Sequence, residues 1–158
     1  MPEASPWNAE RAQEIIAEHI ELEGPMLPIL HALQEEFGHI HTDAVPLIAD
    51  ALNLSRAEVH GVVTFYHDFR DAPCGRHVLQ LCRGEACQSV GSEALAATVL
   101  NNLGVGWHGT THDGDLTVEP VYCLGLCANS PSGLLDGEPH GRLNAGKITE
   151  ILEEAYAS

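Results

Sequence analysis

Apolar residues recur at helical spacing through the first 70 or so positions, and in shorter, denser runs after them. Between Asn8 and Glu23, Ala12, Ile16 and Ile20 repeat every fourth position beside Ile15, while Glu10, Glu14, Glu18 and Glu21 take the other side. That spacing predicts a surface helix with an acidic face. Gly24-Pro25 ends it and opens a second, because proline is tolerated in a first helical turn; Met26, Leu30, Leu33 and Phe37 form its stripe and Gly38 closes it. A third helix is expected from Asp43 to Leu52. A fourth begins at Ser55, where Ser55-Arg56-Ala57-Glu58 matches a capping box, and it carries Val59, Val62 and Val63 toward GVVTFYHDF.

RDAPCGR, with Pro73 and Gly75, reads as a linker, and the period changes beyond it. Val78, Leu79 and Leu81 form a short strand-like run ending at Cys82, and Ser89 to Leu103 is expected to be one helix. Leu116 to Tyr122 reads as a strand running into Cys123. Gly133 to Leu143 reads as a hairpin turning at Asp136-Gly137, and Ala145 to Ala157 as a final helix. The expectation is an N-terminal helical bundle over residues 1–72, then a domain over 73–158 in the order β-α-β-ββ-α, an α+β or α/β class.

Charge narrows the function. The 158 residues carry 23 Asp and Glu against 7 Lys and Arg, a formal charge of −16, while 44% hydrophobic content suffices for a core. A duplex binder neutralises phosphates with Lys and Arg, so no nucleic-acid partner is expected. IADALNLSRAEVHGVV has the outline of a helix-turn-helix, but its second helix offers only Arg56 beside Glu58. The N-terminal MPEASPWNAERAQEII lacks a basic and an apolar targeting region, and no apolar run approaches a membrane span. A cytoplasmic location without membrane insertion is expected. In that reducing compartment, five cysteines point to metal ligation or catalysis before disulfides.

Four of them form two close pairs, Cys82-Arg-Gly-Glu-Ala-Cys87 and Cys123-Leu-Gly-Leu-Cys127, each beginning where an expected strand ends. Loops leaving neighbouring strands at one sheet edge would converge, placing four thiolates around one centre. Such soft donors suit an iron-sulfur cluster or zinc, and a [2Fe-2S] cluster takes two on each iron. Gly84 and Gly125 are expected to let the loops turn tightly and aim amide N–H groups at sulfur. Zinc remains the competing occupant, although zinc modules favour C-x2-C knuckles or add histidine. Cys74 has no paired cysteine nearby and reads as a free thiol.

These pairs, the helical leader and the segments GVVTFYHDF and EPVYCLGLCANSP resemble the thioredoxin-like [2Fe-2S] ferredoxin family. The resemblance implies a thioredoxin-like cluster-binding domain after the helical bundle, with Cys82, Cys87, Cys123 and Cys127 matching the cluster ligands one for one. The family supplies small iron-sulfur subunits of respiratory complex I and of NAD-dependent hydrogenases and formate dehydrogenases. CRGEACQ, TVEPVYCLGLCA and the compact length are most similar to the gamma subunit of the soluble molybdenum formate dehydrogenases that reduce NAD. This implies a non-catalytic electron-transfer subunit with one [2Fe-2S] cluster, beside a flavin/NADH-binding subunit and a catalytic subunit. FMN, NAD and the molybdenum cofactor are then expected on those partners only. The equivalent subunit of complex I or of a hydrogenase is the alternative, and a zinc-stabilised interaction adaptor the alternative of another class.

Three further signals bear on the site. Arg83 follows the first ligand and either sets a cation near the cluster or points to solvent or to Glu85. Phe65, Tyr66 and Phe69 are expected to pack in the seam between the helices and the cluster domain, with a partner contact as the secondary reading. Gly104 to Gly109 satisfies G-x-G-x-x-G, but a helix ends before it and a polar stretch follows, so it reads as a loop and not as a dinucleotide site. None of the ten histidines falls in a ligand motif.

Overall fold

The computed structural model describes residues 5–157; residues 1–4, where the targeting-signal reading begins, and residue 158 lie outside the described residues. The described chain divides into two compact units between Pro73 and Cys74.

The first unit is built from four helices, α1 (Ala9–His19), α2 (Met26–Phe37), α3 (Ala44–Leu52) and α4 (Arg56–Phe65). Local chemistry sets their ends. The Asn8 side chain accepts from the N–H groups of Glu10 and Arg11 at 2.9 and 3.1 Å, satisfying donors that a first turn leaves free. Helix α1 stops at His19, short of the expected Glu23. Gly38 ends α2 in the left-handed conformation, at φ 75°, with its N–H on the Gln34 carbonyl. Both halves of the capping box form at α4, the Ser55 hydroxyl receiving the Glu58 N–H and the Glu58 carboxylate the Ser55 N–H. The apolar stripes meet in one core that includes Ala12, Ile16, Ile29, Leu30, Leu33, Ile48 and Val59.

The three aromatics at the end of this unit differ in exposure. Phe69 is buried against that core, but Phe65 is 74% exposed and Tyr66 43% exposed. Phe65 is the last residue of α4 and Tyr66 its extended cap, so both leave the buried face at the helix end and stack edge-on at 5.1 Å.

The second unit is a five-stranded sheet with helices. Its elements are β1 (His77–Cys82), α5 (Glu85–Ser89), α6 (Ser92–Leu103), β2 (Gly109–Thr110), β3 (Leu116–Val121), β4 (Gly133–Leu135), β5 (Glu138–His140) and α7 (Ala145–Tyr156). Strand order is β2-β3-β1-β4-β5, with β1 and β3 parallel and every other pair antiparallel. Successive strand side chains face opposite ways. Leu79, Leu81, Leu116 and Val118 cluster with Ala96 and Val99 of α6 and Ile148 and Leu152 of α7. The hairpin turns at Asp136 (φ 51°) and Gly137 (φ 85°), the pair of positive values that a two-residue hairpin turn needs. The Asp136 carboxylate pins that turn to the start of β1, accepting from Val78 N–H at 2.9 Å and meeting His77 Nδ1 at 2.6 Å.

Two elements depart from expectation. The helix expected from Ser89 starts at Ser92, after Gly91 (φ 94°), and a separate short helix that was not expected, α5, lies inside the first cysteine loop. The strand β2 was not expected, and Gly109 of the G-x-G-x-x-G stretch belongs to it, while Gly104 caps α6 at φ 67°. Among the described residues no helix is long and apolar enough to cross a membrane.

Leu116→Ala, at a position with no exposure, is expected to destabilise the sheet unit by about 2 to 5 kcal/mol, read by urea unfolding with Trp107 fluorescence in a Trp7→Phe background. In the helical unit, the hydrogen bond from the Ser55 backbone, and then the Ser55 hydroxyl, hold the Glu58 carboxyl below its ordinary value. A lowered folded-state value stabilises the fold above the unfolded value, and this contribution is lost as pH falls through the folded one. Unfolding midpoints followed by Trp7 should therefore separate the native chain from Glu58→Gln at neutral pH and converge in acid.

Candidate metal centre

The parallel ladder places the site. Cys82, the last residue of β1, stands opposite Val121, the last residue of β3, so the loops carrying both cysteine pairs leave the sheet at the same end. Beyond Cys82 the chain turns at Gly84 into α5, which returns Cys87 to the interior at 2% exposure. Beyond β3, Cys123 adopts φ 71° and Gly125 φ 76°, and Cys127 opens the short 3-10 turn Cys127–Asn129. A left-handed conformation is uncommon for a residue with a side chain and is concentrated at functional sites.

The two loops touch at Gly84. Its φ of −65° is ordinary, so the need for glycine is one of space: a Cβ there would lie 3.2 Å from the Cys123 nitrogen and 3.4 Å from the Cys123 Cβ. The Gly84 N–H donates to Cys82 Sγ at 3.4 Å, as expected of a glycine in a thiolate loop. Cys123 Sγ and Cys127 Sγ are 3.8 Å apart, which matches the edge of a tetrahedron whose two thiolates sit about 2.3 Å from one metal. The pairs differ in setting: Cys82 and Cys87 are buried, Cys123 and Cys127 exposed.

Electrostatics tie all four together. Burial pushes the Cys87 thiol up, but hydrogen bonding with Ser130, Ser132 and Cys82 outweighs it and the net displacement is downward. The Cys127 thiol is raised, first by its hydrogen bond to Cys123 and then by the negative charge that Cys123, Cys87 and Cys82 can carry. Four mutually repelling thiolates are what a cationic metal centre relieves. Among the described residues no group of three or more His, Cys, Asp or Glu side chains closes around a single ion; the sulfurs come in pairs.

Arg83 does not pair with Glu85. Its guanidinium meets Glu93 at 3.0 Å and lies over the Trp107 ring at 5.3 Å, held against α6 and the loop after it. Cys74 precedes β1, and the length of that strand, about 17 Å at 3.3 Å per residue, separates it from the Cys82 end. Sequence reasoning missed Ser130 and Ser132, which follow the second cysteine pair and reach Cys87 at 3.3 and 3.5 Å. Their hydroxyls act across more than 40 positions of chain, where no local pattern reports them.

The model of the thioredoxin-like [2Fe-2S] ferredoxin family matches residues 12–156. An NADH-quinone oxidoreductase subunit of Salmonella typhimurium is 33% identical over 154 residues, covering 96% of this chain and 93% of its own length. The HndA polypeptide of the NADP-reducing hydrogenase of Solidesulfovibrio fructosivorans is 29% identical, covering 84% of this chain and 77% of its own. Among solved structures, an NAD+-reducing [NiFe]-hydrogenase in the air-oxidised state superposes with a TM-score of 0.70 at 25% identity over 84% of this chain. The matched region is 23% of that hydrogenase chain. With the family's model spanning both units and the cysteine loops meeting at one sheet edge, the chain belongs to the thioredoxin-like [2Fe-2S] ferredoxin family.

Proposed function

We propose that Cys82, Cys87, Cys123 and Cys127 hold one [2Fe-2S] cluster and that this chain is the electron-transfer subunit of a cytoplasmic, NAD-linked oxidoreductase. The observation that carries this reading is the convergence of two thiol pairs at the shared end of β1 and β3. The group would supply one-electron chemistry, and the chain's own residues hold, orient and shield it. No acid, base or nucleophile is required of them. The buried Cys82 and Cys87 anchor it in the unit, while the exposed Cys123 and Cys127 leave one side open to a redox partner.

That partner is a flavin/NADH-binding subunit, which places the NAD site outside this chain. A catalytic subunit completes the assembly. The wording CRGEACQ and TVEPVYCLGLCA supports formate oxidation coupled to NAD reduction. The relatives named for NADH-quinone oxidoreductase and hydrogenase support a second reading, in which the same module serves quinone- or hydrogen-linked chemistry.

Anaerobically purified protein is expected to be brown, to contain iron and acid-labile sulfide in equal amounts, and to give an EPR signal only after reduction. Colourless protein with one bound zinc overturns the cluster. Serine at Cys82, Cys87, Cys123 or Cys127 should bleach it, and Cys74→Ser should leave the spectrum unchanged. Gly84→Val should cut cluster retention about tenfold by forcing the loops apart, with the far-UV signal of the unit retained. Formate-dependent NAD reduction by the co-purified complex supports formate dehydrogenase; dependence on hydrogen or quinone selects the second reading.

A further inference from the structure

The four cysteines are not equally solvated, and a buried serine faces one of the buried pair. Ser132 is 3% exposed, just before β4, and the only side-chain hydrogen bond of its hydroxyl among the described residues is to Cys87 Sγ at 3.5 Å. Its backbone N–H also acts on that sulfur, and its carbonyl accepts the Cys82 N–H at 3.0 Å. Ser130 is nearer, with Oγ 3.3 Å from Cys87 Sγ, but its proton already goes to the Cys127 carbonyl at 2.8 Å. In the free thiol form Cys87 can donate to either serine. A ligating Cys87 has no proton, so the sulfur becomes an acceptor only. Ser130 can then keep its carbonyl bond, whereas the Ser132 hydroxyl is hydrogen-bonded, among the described residues, to Cys87 alone, and a buried hydroxyl left unpaired is costly.

We infer that Ser132 is a positioning and tuning residue for the electron-transfer centre, donating its hydroxyl proton to the Cys87 thiolate and so raising the reduction potential. This rests on the cluster reading above. Reduction adds one negative charge to a group already caged by thiolates, and a donor aimed at a ligand sulfur stabilises the more negative state more strongly. The effect is concentrated at the buried end, because Cys123 and Cys127 are exposed and solvent screens interactions there. Ser132 thus couples the residue that enters the β4–β5 hairpin to the chemistry of the cysteine on α5.

The test is an EPR-monitored redox titration of the full chain, with iron and sulfide assayed on every sample. Ser132→Ala should retain its iron and lower the ratio of reduced to oxidised cluster at a fixed solution potential about tenfold, equivalent to about 59 mV for a one-electron couple. Ser132→Thr, which keeps a hydroxyl, should recover most of the shift, and Ser130→Ala should move the potential by less than half as much. The resonance Raman iron–thiolate stretch of the native chain should shift in D2O, and the Ser132→Ala band should shift less. Full iron in Ser132→Ala with an unchanged potential overturns the inference and leaves the cluster reading standing. If Ser132→Ala loses iron, the D2O shift decides: its absence in the native chain, or its loss in Ser130→Ala, overturns the assignment to Ser132. A native chain that takes up no iron and sulfide overturns the cluster reading, and this inference with it.

Discussion

Parallel pairing of β1 with β3 is the constraint on which the site depends. Cysteine pairs separated by a helix and two strands meet only because both strands run the same way and end level, Cys82 opposite Val121. Antiparallel pairing would send the two loops to opposite ends of the sheet. A parallel pair needs a long crossover, and α5 and α6 lie in it, α6 covering apolar side chains of the same strands. The core and the site are therefore consequences of one topological choice: Leu79 and Leu81 hold β1 in the core, and the next residue, Cys82, is delivered to the edge.

Within the site, protein and solvent divide the work. Cys87 lies among hydroxyls and backbone at 2% exposure, where a hydrogen bond to sulfur acts in a low dielectric. Cys123 and Cys127 face water, where screening weakens the same interactions. Arg83, clamped by Glu93 and Trp107, has its charge partly neutralised by its own neighbour, so the position after the first cysteine contributes less positive field than its identity suggests.

Much of the fold is legible in the chain because its signals are local. Asn8, Ser55 and Gly38 mark helix ends through hydrogen bonds spanning two to four residues, and Asp136-Gly137 fixes its turn by backbone preference. The short helix α5 and the turn at Gly91 were hidden because the apolar spacing of Leu95, Val99 and Leu103 reports α6 alone. The exposure of Phe65 and Tyr66 is likewise not legible from identity: aromatic residues are buried on average, while actual burial depends on where the helix face ends.

The helical leader, the strand that runs into each cysteine pair and the soft donor set are all readable from the chain, since they rest on spacing and side-chain chemistry within a few residues. Tertiary structure decided which cysteines are buried, that Gly84 is needed for space against Cys123, that Arg83 faces Glu93, and that Ser132 reaches Cys87. Each of these joins residues far apart in the chain, and only the closing of the sheet brings their atoms within the few ångströms over which hydrogen bonds and steric contacts act.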